Sequence, residues 1–144
     1  MKVYLDTSVL KRPFDDQSQP RIRLETEAVV TILAIAQAGG IQLINSSVLG
    51  YENSRNPDPE RRRYVERVLR LCHVTQCVND IVQHRAVALE ALGVKPLDSL
   101  HVAAAEAAGA DCLLTCDDRL PRHYPGPLQI VNPVTFVLQL DPLP

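Results

Sequence analysis

Tryptophan is absent from this 144-residue chain, and four tyrosines and two phenylalanines are all of its aromatic side chains. That leaves little material for a platform that binds single strands by stacking successive bases on rings. Long hydrophobic runs are missing too. The best of them, Ala28 to Ala38, contains Thr31 and Gln37 and stops at Gly39-Gly40, which is too short and too polar to cross a bilayer. The first apolar run is interrupted at once by Asp6, so no signal-peptide core is read, and a cytoplasmic protein without a membrane partner is expected. Charge of one sign is not in excess either, with 15 Lys+Arg against 17 Asp+Glu for a net charge of −2. This excludes a binder that works through overall positive charge; a polyanion would have to be gripped by a local patch or through a metal. The four cysteines are spaced C-x4-C (Cys72, Cys77) and C-x3-C (Cys112, Cys116), which fits neither common zinc spacing nor a C-x-x-C redox pair. They are read as small buried hydrophobes of a reducing compartment.

What is present is an ordinary globular composition, 46% hydrophobic, at a length typical of one domain. One domain over residues 1–144 is therefore expected. Lys2 to Leu5 reads as a strand ending at Asp6-Thr7-Ser8, and Lys11 to Pro20 as a loop. Apolar residues then recur at helical spacing from Leu24 to Ala36 until Gly39-Gly40. Ile41–Ile44 is a second strand, Asn45-Ser46-Ser47 caps a short helical segment carrying Glu52, and Glu60–Arg70 is a charged helix. Val74–Val78 reads as a third strand. Helices over Asn79–Leu92 and Ser99–Ala108, strands over Cys112–Thr115 and Leu128–Val131, and a last helix from Asn132-Pro133 complete the series. Strands alternating with helices predict an α/β fold with a mostly parallel sheet between helical layers.

In an open parallel sheet the ligand crevice lies beyond the carboxyl ends of the strands. Asp6 follows the first strand directly, Asp117 follows the fourth, Glu52 lies shortly after the second, and Asp98 begins the helix leading into the fourth. Four acids at one edge repel one another unless a cation neutralises them, and oxygen ligands without His or Cys suit Mg²⁺ or Mn²⁺ rather than zinc. A hard cation held in this way activates water and neutralises charge on phosphate, so phosphodiester hydrolysis is the natural reaction class. The hydroxyls of Ser8 and Thr115 stand two residues from Asp6 and Asp117 and are placed to orient them, and Asp118 offers an alternative fourth acid. Each acid also has a plainer reading: Asp6 and Asp98 as helix caps, Glu52 as a solvated helix residue, and Asp117-Asp118 as turn residues.

On these residues the sequence resembles the PIN-domain family of metal-dependent ribonucleases, and particularly its toxin-like single-domain members of the VapC kind. The resemblance is carried by Val3-Tyr4-Leu5-Asp6-Thr7-Ser8, by Glu52, by Leu97-Asp98-Ser99-Leu100-His101-Val102-Ala103-Ala104-Ala105, by Leu113-Leu114-Thr115-Cys116-Asp117, and by Val131-Asn132-Pro133. Their order and spacing along essentially the whole chain make the signal. It implies a three-layer α/β/α fold, an RNA substrate, a Mg²⁺ or Mn²⁺ site formed by Asp6, Glu52, Asp98 and Asp117, and support from Ser8 and Thr115. It favours Asp117 over Asp118 as the fourth acid. It also implies a homodimer and a small antitoxin partner. The chain departs from the family's common aromatic after the fourth acid, carrying Leu120 there.

Arg12, Arg21, Arg23 and Arg55 are candidates for contacts to RNA, while Arg61-Arg62-Arg63 reads equally as a solvated face or a phosphate-tracking one. His101 reads as a packed or dimer-facing residue rather than a ligand. Two other functions stay open: a catalytically silent PIN-like module that binds RNA or protein, and a Mg²⁺-binding receiver-like regulatory domain. The single acid after the first strand speaks against the receiver, and no G-x-G-x-x-G follows that strand to suggest a dinucleotide site.

Overall fold

A computed structural model describes residues 1–140. Five strands, β1 (Lys2–Leu5), β2 (Gln42–Ser46), β3 (Val74–Gln76), β4 (Cys112–Leu114) and β5 (Gln129–Val131), form one sheet in the order β3-β2-β1-β4-β5. Every neighbouring pair is parallel, with Val3 opposite both Leu43 and Cys112. The fold is a three-layer α/β/α sandwich. The central strands are covered on both faces, which is why they read as apolar runs instead of alternating: Val3, Tyr4, Leu113 and Leu114 are fully buried.

The helices are α1 (Thr7–Lys11), α2 (Pro20–Gln37), α3 (Ser47–Ser54), α4 (Pro59–Leu69), α5 (Asp80–Ala91), α6 (Pro96–Ala107), α7 (Arg119–His123) and α8 (Pro133–Gln139). Proline opens α2, α4, α6 and α8, where its missing N–H costs nothing and its fixed φ suits the first turn. Past the ends of α2, α5 and α6 stand Gly39, Gly93 and Gly109 with positive φ, the conformation that stops a helix at least strain. Helix α5 packs along α6, which lies over β2, β3 and β4, and α2 pairs with α8.

Several boundaries differ from the sequence reading. The residues after β1 form α1 and then a single 3₁₀ turn at Arg12–Phe14, so the expected loop over 11–20 shrinks to its second half. Helix α7 was not foreseen; its Leu120 is buried in the core, where the family's aromatic would otherwise fall. Asp98 is not the cap of α6, because Lys95 occupies that position and Asp98 is the third residue of the first turn. Of the cysteines, Cys112 and Cys116 are buried as expected and Cys77 is exposed.

Candidate active site

The chain leaves β1, builds β2 and β3 on one side, and returns to build β4 and β5 on the other. The strand order therefore reverses between β1 and β4, and the crevice beyond their carboxyl ends is the expected ligand position. Asp6 and the segment Thr115–Asp117 lie there, tied together by a hydrogen bond from Asp6 N–H to Leu114 O at 3.1 Å.

Asp6 is buried and caps α1. Its Oδ1 accepts from Val9 N–H at 3.2 Å and from Ser8 Oγ at 2.5 Å. The capping reading holds, with both of these bonds falling on one carboxylate oxygen. Burial pushes the Asp6 carboxyl up from the ordinary range, against the bond from Ser8. Ser8 Oγ also accepts from Cys116 N–H at 3.0 Å, and Thr115 Oγ1 accepts from Asp117 N–H at 3.1 Å. The two hydroxyls thus fasten the end of β1 to the end of β4 and fix the backbone on which Asp117 stands.

Asp98 projects from the first turn of α6, half-buried, and no hydrogen bond to its carboxylate is found among the described residues. Burial raises its pKa, and the nearby charges of Asp6 and Asp117 raise it further. Asp117 behaves differently: Arg119 holds both of its oxygens, with Nε and Nη2 each at 3.0 Å, and keeps the carboxyl below the usual range. Asp118 points elsewhere. It makes a bidentate pair with Arg21 at 2.8 Å to each oxygen and is more than half exposed, whereas the charge of Asp117 is felt at Asp98.

Glu52 comes from α3. Its Oε1 accepts from Thr7 Oγ1 at 2.8 Å and contacts Nε2 of His101. Burial opposes its ionisation, but the bonds from His101 and Thr7 outweigh it and hold the carboxyl low. An ionised Glu52 only accepts, so Nε2 of His101 carries the proton in that contact. His101 is 2% exposed, and its Nδ1 lies 2.6 Å from Tyr4 Oη, which in turn lies 2.7 Å from Ser46 Oγ. His101 is packed, as one of its two readings held, yet it touches an acid of the site. Nothing in the sequence signals this chain, whose members are up to 97 residues apart.

The acids lie near one another: Tyr4 feels the charges of Asp6 and Glu52, Asp98 those of Asp6 and Asp117, and His101 acts on Asp6, Glu52 and Asp98 alike. Asp98 and Asp117 line a cavity of about 70 Å³, and Glu52 lines a separate groove of about 400 Å³. Among the described residues, no three His, Cys, Asp or Glu side chains converge on a point as a full ligand cage would.

Of the basic candidates, Arg12 is turned inward, with Nε 2.9 Å and Nη2 2.8 Å from Glu25 Oε1 and Nη1 3.0 Å from Asp15. Arg21 is committed to Asp118 and reaches Glu25 Oε2 at 3.4 Å. Arg23 is exposed, and Arg55 lies over the ring of Tyr51. Glu25 itself is 1% exposed and also accepts from Asn132 Nδ2. It was missed, although a carboxylate within the buried stripe Ile22, Val29, Ile32, Ala36 of α2 is a legible anomaly, since such a group requires partners.

The sequence model of the PIN domain matches residues 3–124. No curated protein matches significantly. Among solved structures, FitAcB from Neisseria gonorrhoeae is 16% identical with a TM-score of 0.61, covering 91% of this chain and 97% of that one. DNA-bound VapBC from Salmonella typhimurium is 17% identical with a TM-score of 0.61, covering 92% and 98%. VapBC2 from Rickettsia felis, bound to a DNA fragment from their promoter, is 15% identical with a TM-score of 0.58, covering 92% and 98%. At such identities these structures share the fold alone. PIN domains are in general nucleases, and with the family's pattern spanning most of its length, from β1 into the segment after α7, this chain belongs to the PIN domain family.

Proposed function

We propose that this chain is a divalent-metal-dependent ribonuclease, the toxin of a toxin–antitoxin pair. The observation that carries the reading is the gathering of acids at the strand-order reversal, in which no hydrogen bond or ion pair holds the Asp98 carboxylate among the described residues and Asp6 and Asp98 are both pushed up by burial. Oxygen donors without a converging cage suit Mg²⁺ or Mn²⁺, which is commonly held by one or two carboxylates and completes its shell with water and phosphate oxygens. Asp6 and Asp98 would hold it, with Glu52 and Asp117 at the flanks. When bound, the ion lowers the pKa of water and offsets charge on the phosphate.

The chain's own residues supply the rest. Ser8 fixes one Asp6 oxygen, Thr115 sets the backbone of Asp117, and His101 with Thr7 orients Glu52. Asp118 belongs to the ion pair with Arg21 and has no part in the reaction. The antitoxin partner is supported by the shared fold with the FitAcB and VapBC structures, and the homodimer by family habit. No described helix is long and apolar enough to cross a membrane. Family membership favours this reading over a receiver-like regulatory domain. A catalytically silent PIN module draws support from the hold of Arg119 on Asp117.

The test is cleavage of a structured RNA with single-stranded loops, in Mn²⁺ and in EDTA. EDTA and Asp6→Asn are each expected to abolish cleavage. Full activity of the wild type in EDTA, or of Asp6→Asn in Mn²⁺, overturns the assignment, and no cleavage by the wild type selects the silent module.

A further inference from the structure

The groove beside Glu52 is lined by Thr7, Lys11, Glu52, Arg55, Asp58 and Arg61 among others, and at about 400 Å³ it falls within the roughly 300–1,000 Å³ of sites that house organic ligands. The cavity lined by Asp98 and Asp117, about 70 Å³, is far below that range, and the other clefts of comparable volume to the groove are lined by none of the four acids. We propose that this groove is the track on which the phosphodiester backbone of a single strand lies as it reaches the acids, gripped by Lys11, Arg55 and Arg61. The inference rests on the nuclease reading and adds the path and the residues of substrate binding.

Three features argue for it. Glu52 is itself a wall of the groove, so a strand lying there touches an acid of the site. The two arginines are held ready by aromatic rings: Arg55 lies 5.5 Å over Tyr51 and donates to its Oη at 3.0 Å, and Arg61 lies 5.6 Å over Phe14. Such stacking orients a guanidinium while leaving its charge free. The groove's cations are also weakly committed. Arg61 meets Asp58 only through a half-exposed contact at 3.3 Å, a kind of surface pair that contributes little and exchanges readily. Asp58 uses its other oxygen to cap α4, accepting from Glu60 N–H at 2.9 Å and Arg61 N–H at 3.3 Å, and Arg61 Nη2 donates at the long distance of 3.4 Å to Phe14 O. No acid pairs with Lys11 or Arg55 among the described residues. Arg12 and Arg21, by contrast, are neutralised by Glu25 and Asp118. Tyr51, the one exposed aromatic among the described residues, stands beside Arg55, where a ring can stack on a base.

Binding of a fluorescent ten-nucleotide RNA to the full chain in EDTA, followed by anisotropy across salt concentrations, separates this inference from the catalytic one. Lys11→Gln, Arg55→Gln and Arg61→Gln are each expected to weaken binding and to flatten the dependence of log affinity on log salt by roughly 0.7, and the triple variant by about 2. Arg70→Gln, about 14 Å further along α4 from Arg61, is expected to match the wild type. A DNA strand of the same sequence should lose affinity in parallel, because phosphates carry the contacts. Wild-type affinity and slope in the triple variant overturn the track while leaving the nuclease reading intact, as does a loss confined to RNA. A wild type that binds no single strand at low salt overturns the track as well. A wild type that binds as expected but cleaves nothing in Mn²⁺ supports the track and overturns the nuclease reading instead.

Discussion

Ser8 illustrates how much a single hydroxyl does at this edge. It donates to Asp6 and accepts from Cys116 N–H, so Ser8→Ala leaves the carboxylate held only by the longer bond from Val9 N–H and a backbone N–H without its partner. Loss of such a supporting contact typically costs 10–100-fold in metal affinity or activity, and Ser8→Ala is expected to lower kcat by about that factor while KM for RNA stays near the wild type. Asp98 presents the opposite case, a residue that costs stability. Its pKa is raised in the folded state, so the stability it contributes at low pH is lost as pH rises through the raised value. At pH 7 without metal, Asp98→Asn is expected to raise Tm. Solvent screening at this half-buried site limits the gain to about 1 kcal/mol, or roughly 2–4 °C in a chain of this size. Mn²⁺ should stabilise the wild type more than Asp98→Asn, since an ion bound only by the folded state adds to its stability. Thermal melts with and without the ion check both.

At the scale of elements, Glu25 joins α2 to Arg12 of the 3₁₀ turn and to Asn132, the cap of α8. Breaking one side of a buried ion pair costs about 3–5 kcal/mol because the other charge is stranded. Arg12 keeps Asp15 and some solvent, so Glu25→Ala is expected to cost about 3 kcal/mol in urea unfolding. Burial opposes the charge of Glu25, but Asn132 and Arg12 prevail and hold its pKa below the ordinary 4.5. Its contribution is therefore present above that value and lost as pH falls through the lower folded value, and Glu25→Gln should flatten this acid limb of the stability curve. The same element shows what the sequence conceals. The strands were legible because β1 and β4 are buried on both faces, and the long helices because of their period and their Pro and Gly boundaries. The five-residue α1 and α7 are too short to show a period. The cap at Asp6 was legible from local chemistry. The bonds between Glu52 and His101, or between Asp118 and Arg21, join residues far apart in sequence, and no local spacing announces them.

Over the whole molecule, the parallel sheet with its reversal between β1 and β4 decides where chemistry can occur. It brings acids from the ends of β1 and β4 near those of α3 and α6, with Lys11, Arg55 and Arg61 lining the groove beside Glu52. The net charge of −2 thus divides into an acidic edge and a modestly basic remainder, an arrangement suited to a polyanion that must approach a metal. On the proposed reading this edge hydrolyses RNA through an ion held by Asp6 and Asp98. Its most direct test is the rate of RNA cleavage as Mn²⁺ is titrated into metal-free protein, for the wild type and for Asp98→Asn. A saturating rise in the wild type, with cleavage by Asp98→Asn abolished or requiring at least tenfold more Mn²⁺, is the predicted result; superimposable curves for the two proteins would contradict the account.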